Sequence, residues 1–210
     1  SHAYNGFMKP HLALAERHPF FEQLTLEGAR TPKAEEMLAN GLARLHALTT
    51  QPDALFDWVH AVRYRFESMS HLGLTNKGLV RLNPRGLTEW TVVHELAHVW
   101  DASQGWQLSV ALRTHTYSHA AWGWLRKLFP DSRFFWYHVG SPPPPCGAGR
   151  NFNAREDFAE SVTAFIFPDQ AHLKASKRNM PYEKYGFSHF HDTPRGKFIQ
   201  NLIQPKETPS

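Results

Sequence analysis

His94 and His98 stand four residues apart with Glu95 between them, in the run His94-Glu95-Leu96-Ala97-His98. On an α-helix, positions four apart lie about 40° from each other around the axis, so both imidazoles point the same way. Two such nitrogens suit one zinc ion, and a glutamate beside them suits the removal of a proton from metal-activated water. With 14 His and 12 Glu in 210 residues, random placement produces this run in roughly 5% of arrangements. The surroundings argue against chance. Trp90, Val92, Val93, Leu96, Ala97, Val99 and Trp100 make the helix apolar on nearly every side, which implies burial. Burying His94, Glu95, His98 and Asp101 among them is costly unless each is paired or bound to metal. Thr88 is the expected N-cap, Glu89 suits the positive helix start, and Gly105 follows the last periodic residue. Asp101, about 20° off the face of His94, reads first as an acceptor that holds a ligand imidazole in one tautomer. Its other reading is support of the helix end.

A catalytic zinc takes three protein ligands and keeps one position for water. The third donor is expected from a separate downstream segment, and residues 153–167 are the candidate. Phe158, Val162, Phe165 and Ile166 recur at helical spacing, and Pro168 ends the run. Glu156 and Glu160 share a face with Thr163 beside this apolar arc. Two carboxylates so placed repel each other unless a cation lies close. Spacing leaves the choice of ligand open. Asn153 and Glu156 also have the spacing of a capping box, in which Glu156 reaches back to its own helix start. Glu160 has an alternative as a solvated or ion-paired group, and Asp157 is the third possible ligand.

The two runs together, His94-Glu95-Leu96-Ala97-His98-Val99-Trp100-Asp101 and Glu156-Asp157-Phe158-Ala159-Glu160, resemble the zinc-binding core of the anthrax lethal factor-like gluzincins, a group that includes the Pro-Pro endopeptidases. The family pattern, H-E-x-x-H-x-x-D and then E-x-F-A-E, maps without gaps inside either run. The motifs span 13 residues, and the resemblance extends loosely over residues 80–205. It implies Zn2+ held by His94, His98 and Glu156, with Glu160 as a carboxylate behind a ligand. It also implies an α+β, zincin-like metallopeptidase catalytic domain, mostly helical with a small sheet. One departure stands out. The family usually carries a Tyr seven residues before the third ligand, steadying the oxyanion, and that position here is Gly149. Either Tyr137, His138 or Tyr117 takes its place, Tyr137 being the residue carried forward as catalytic, or the oxyanion is held differently.

The length suits one catalytic domain over residues 31–210 with an N-terminal extension at 1–30. Residues 34–48 read as an amphipathic helix after Pro32, and residues 54–66 favour a strand towards their end. Residues 72–82 read as a hairpin turning at Asn76-Lys77-Gly78, leading through Pro84 into the histidine helix. By analogy with zincins, one arm of that hairpin offers an edge for an extended peptide. Further helices are expected at 118–128 and 195–203. Pro142-Pro143-Pro144-Pro145 and the glycines after Cys146 read as a stiff surface loop flanking the cleft. Cys146 stays outside the site. His115 or His119 is a possible substrate or oxyanion contact, whereas His189 and His191 read as ordinary surface or partly buried residues.

Lys and Arg number 23 against 19 Asp and Glu, a net charge of +4, and they are scattered, so no nucleic-acid partner is expected. No 18-residue apolar run exists, so no transmembrane segment is expected. A single Cys leaves redox compartment unread. The start at Ser1 looks trimmed, with secretion somewhat favoured. The function expected is zinc-dependent peptide hydrolysis with Glu95 as general base, acting on a peptide or protein substrate as a monomer. The alternative is a zincin-like binding module that keeps zinc without cleaving, which Gly149 motivates. A zinc hydrolase acting on non-peptide amides shares the same sequence features.

Overall fold

Two-residue alternation sorts the short strands of this chain onto one sheet. In the computed structural model, which describes residue 21 and residues 23–49, 57–76, 78–118, 153–179 and 181–204, strand β1 is Thr25–Gly28, β2 Arg63–Phe66, β3 Gly73–Asn76 and β4 Leu79–Leu82. Their order is β1-β2-β4-β3. β1, β2 and β4 run parallel, while β3 pairs antiparallel with β4. Tyr64, Phe66, Val80 and Leu82 are buried on one face. The other face carries Arg63, Arg65 and Arg81, the first two paired with Glu27 at 3.1 and 2.8 Å and the third with Glu67. Parallel neighbours need a crossover, and helix α1, Pro32–Leu48, supplies it between β1 and β2. Thr31 caps α1 by accepting the Ala34 N–H at 3.2 Å, with Pro32 in the first turn where its missing donor costs nothing.

Helix α2, Glu89–Ser103, carries the histidine run. Its start is as expected: the Thr88 side chain accepts from the Thr91 N–H at 3.2 Å, and Gly105 lies past the end with φ 62°. Glu89 accepts from Asn40 Nδ2 at 3.1 Å and Arg44 Nε at 2.6 Å, tying the head of α2 to α1. Between these helices Gly41 makes a close approach: a Cβ there would lie 2.6 Å from Val92 Cγ1. Val92 is β-branched and held to one rotamer in a helix, so it cannot turn aside. Gly41→Ala is therefore expected to destabilise the fold despite its helix propensity. Overpacking costs about 1–3 kcal/mol against a gain of about 0.5–1 kcal/mol, and urea denaturation reads the net sign.

Helix α3, Gln107–Ser118, follows a tight reversal; helix α4, Ala154–Ile166, packs along α2; helix α5, Pro168–Lys177, starts where α4 ends; helix α6, Pro194–Ile203, closes the described chain. Short 3-10 turns at Tyr182–Tyr185 and Phe190–Asp192 precede α6. The core lies where α2 packs on the buried face of the sheet and α4 packs along α2, with Leu96, Ala97, Phe158, Val162 and Phe165 among its residues. Trp100 packs edge-on against Phe158, ring centroids 5.7 Å apart.

The chain is thus mixed α+β, mostly helical with a small four-stranded sheet among the described residues. The expected helices at 34–48, 153–167 and 195–203 and the hairpin at 72–82 are present, α1 beginning two residues early at Pro32. Three elements were not anticipated: β1, α3 and α5. β1 falls within the expected extension at 1–30 and joins the sheet by pairing Thr25 to Gly28 with Arg63 to Phe66. Pro168 does end α4, but it also opens α5, because a first-turn proline has no N–H to lose. Residues 119–152, which include the rest of the expected 118–128 helix, Tyr137, His138, His119, the proline run, Cys146 and Gly149, lie outside the described residues, as do Lys77 and the side chain of Tyr117. No helix among the described residues is long and apolar enough to cross a membrane.

Candidate metal centre

α2 and α4 lie side by side, and His94 and His98 of the first face Glu156 and Glu160 of the second. Glu156 Oε2 is 3.3 Å from His94 Nε2, and Glu156 Oε1 is 3.4 Å from His98 Nε2. The two imidazoles stand nearly perpendicular, ring centroids 4.8 Å apart. One ligand atom from each of His94, His98 and Glu156 lies within 4.8 Å of the other two. Around a tetrahedral zinc with bonds of about 2.0–2.1 Å, neighbouring ligand atoms sit about 3.3 Å apart. The observed carboxylate–imidazole separations match that edge.

The capping-box alternative for Glu156 finds no support here. Asn153 caps α4, accepting from the Arg155 and Glu156 N–H groups at 2.9 and 3.3 Å, while the Glu156 side chain faces the histidines. Glu160 sits one turn further on, buried, with Oε1 3.0 Å from His94 Nδ1. That contact is close but outside the directional range of a hydrogen bond, which leaves the buried Nδ1 without an aligned partner. Asp157 points elsewhere. It receives Arg195 Nε at 2.7 Å and Nη2 at 3.0 Å, both side chains about 1% exposed. Burial pushes the Asp157 carboxyl upward, and the Arg195 guanidinium opposes that rise. Asp101, fully buried, accepts the Ser109 N–H at 3.1 Å and so ties the end of α2 to the first turn of α3. That is the helix-end role, and the other oxygen, Oδ2, has no hydrogen-bond partner among the described residues.

Electrostatics make the centre a place that wants a cation. Burial disfavours a charged His94, but the carboxylates of Glu156, Glu160 and Glu95 outweigh it and push its pKa up to about 10. Glu156 is likewise held well below the usual carboxylate range: burial works against this, but His94 and His98 prevail. Without metal, a proton on His94 answers the carboxylates. A divalent ion held there would answer them in place of that proton, since metal ligands bind deprotonated. The donor set and this charge balance suit a divalent cation such as zinc, and each imidazole meets a different Glu156 oxygen near the ligand spacing.

Glu95 lies on the sheet side of α2 and is 5% exposed. Its Oε2 accepts from Thr75 Oγ1 at 2.7 Å, and its carboxylate rests over Gly73 of β3. Neither residue was singled out from sequence, although a glycine inside a strand is a known sign of close backbone approach. Arg195 had no such sign. His115 packs on Phe198 with centroids 5.5 Å apart, and His191 Nε2 lies 2.8 Å from the Phe165 carbonyl; neither joins the metal group.

No protein-family model, no curated protein and no solved structure matches this chain.

Proposed function

We propose that this chain is a zinc-dependent metallopeptidase of gluzincin type with a zincin-like catalytic domain. The observation that carries the reading is the meeting of His94, His98 and Glu156 from two helices, with Glu95 one residue from the first ligand and lying over one face of β3. A structural zinc site has no need of Glu95. When bound, zinc supplies Lewis acidity, acidifying water and polarising a carbonyl oxygen. Glu95 takes the proton of the attacking water and hands it to the leaving amine. Glu160, 3.0 Å behind His94 Nδ1, supports that imidazole electrostatically.

β3 supports a peptide as substrate. It ends the sheet order, and its pairing with β4 includes the Asn83 N–H to Leu72 carbonyl bond at 2.9 Å. By antiparallel alternation, Leu72, Leu74 and Asn76 turn their backbone groups to β4. Gly73 and Thr75 turn theirs to the edge that no other described strand pairs with, where an extended peptide would add as a strand. The alternative of a zinc-holding module without cleavage rests on Gly149 standing where the family has Tyr.

The reading is tested by stripping the protein with chelator and returning zinc. Wild type is expected to take up one equivalent by atomic absorption, to melt higher when loaded, and to cleave a mixed peptide pool in a zinc-dependent way. His98→Ala is expected to lose stoichiometric uptake and cleavage together. Stoichiometric zinc without cleavage of any pool selects the binding module, and uptake unaffected by His98→Ala ends both readings.

A further inference from the structure

The carboxylate of Glu95 is not left to find its own position. β3 presents two residues of one face to it, and each meets a different part of the group. Thr75 Oγ1 lies 2.7 Å from Oε2 and 3.2 Å from the Glu95 backbone carbonyl. One hydroxyl proton serves one acceptor at a time, and the shorter, charge-assisted partner wins. Two residues earlier on the same face, Gly73 opens a slot. A Cβ there would lie 2.5 Å from Oε1, 2.6 Å from Cγ and 2.8 Å from Cδ. These atoms are the carboxylate end of the glutamate, so a Cβ at residue 73 pushes that end out of its place.

We propose that Gly73 and Thr75 are positioning residues for the general base, holding the Glu95 carboxylate in one orientation beside the metal centre. The inference rests on the peptidase reading for its catalytic meaning, but the placement of Glu95 is a separate matter. Among the described residues, the Thr75 hydroxyl is the side-chain donor to this 5%-exposed carboxylate. A buried carboxylate with a single strong donor takes its direction from that donor. The same two residues turn their backbone N–H and C=O groups to the edge left unpaired among the described strands. A peptide strand pairing there would therefore brace the segment that carries the base. Substrate registration and base placement become functions of one strand.

Three variants and two readouts test this. Thr75→Val keeps the side-chain shape and removes the hydroxyl; Thr75→Ser keeps the hydroxyl; Gly73→Ala fills the slot. A crystal structure of each, with or without zinc, is expected to show Glu95 displaced in Thr75→Val and Gly73→Ala and retained in Thr75→Ser. Isothermal titration of the zinc-loaded proteins with acetohydroxamate, whose proton needs a well-placed carboxylate acceptor, gives the second readout. Thr75→Val and Glu95→Gln are expected to bind roughly tenfold more weakly at equal zinc content, and Thr75→Ser to recover wild-type affinity. Peptide turnover should follow the same order, with kcat for Thr75→Val lower by roughly 10- to 100-fold and KM little changed. An unmoved Glu95 together with wild-type hydroxamate affinity in Thr75→Val overturns the inference. If Thr75→Val does not fold, Thr75→Ser and Gly73→Ala decide between the same two outcomes. Should the wild type bind no zinc, the peptidase reading fails by itself, and the position of Glu95 in the metal-free variants still judges this proposal.

Discussion

Glu95→Gln is expected to lower peptide hydrolysis by roughly 10²–10⁴-fold, the usual worth of a positioned general base, while zinc content stays stoichiometric. The substitution is close to isosteric. Its amide still fills the space over Gly73 and can still accept from Thr75 Oγ1 through its oxygen, so the packing at β3 is kept. What it loses is the ability to accept a proton. His94, His98 and Glu156 are untouched, so metal affinity should move little. Turnover of a fluorogenic peptide pool by zinc-loaded wild type and variant, with zinc measured on the same samples, reads both quantities. Equal turnover by the two proteins refutes the assigned mechanism. Loss of zinc along with activity would mean instead that Glu95 helps hold the centre.

Arg195→Met should produce the largest change in stability, about 3–5 kcal/mol, the cost of removing one partner from a buried ion pair. For a chain of this size that corresponds to a fall in Tm of roughly 6–20 °C at about 2–4 °C per kcal/mol. Arg195 lies in the first turn of α6 and reaches Asp157 in the first turn of α4 through two bonds of 2.7 and 3.0 Å. Without the guanidinium, burial loses its main opponent and the folded Asp157 pKa rises further above its unfolded value. A carboxyl whose folded pKa is raised loses stability as pH rises from the unfolded value to the folded one. The deficit of the variant should therefore shrink on acidification. Restoring neutrality with Asp157→Leu in the same chain should recover most of the loss, because an apolar pair replaces a buried ion pair without leaving a charge. Chemical denaturation of both variants across acidic and neutral pH checks the sign and the rescue. Because Asp157 adjoins Glu156, the single variant should also weaken zinc uptake by loosening the first turn of α4.

Local patterning carried much of this organisation. The Thr88 cap, the apolar circumference of α2 and the Asn153 start of α4 are short-range features, and backbone hydrogen bonding within a few residues enforces them. β1 was illegible because four residues with mixed exposure hold no periodic signal; their strand character comes from pairing with β2. α5 was hidden for the opposite reason, since Pro168 is a stop signal for one helix and an allowed first residue of the next. Asp101 shows the same limit. Its spacing from His94 was correct, yet spacing on one helix cannot reveal that α3 folds back to present the Ser109 N–H.

His94, Glu95 and His98 were legible as one chemical unit because the helical repeat places them together whatever else the chain does. Choosing Glu156 among three nearby acids, turning Asp157 to Arg195, setting Glu160 behind His94 and bringing Gly73 and Thr75 under Glu95 required α4 and β3 to pack on α2 and α6 to pack on α4. Those choices are contacts between residues 20 to 66 positions apart in the chain, and the depth of burial at each decides its charge. The geometry of a single helix lies in its own residues, whereas the electrostatic environment of its side chains belongs to the whole fold.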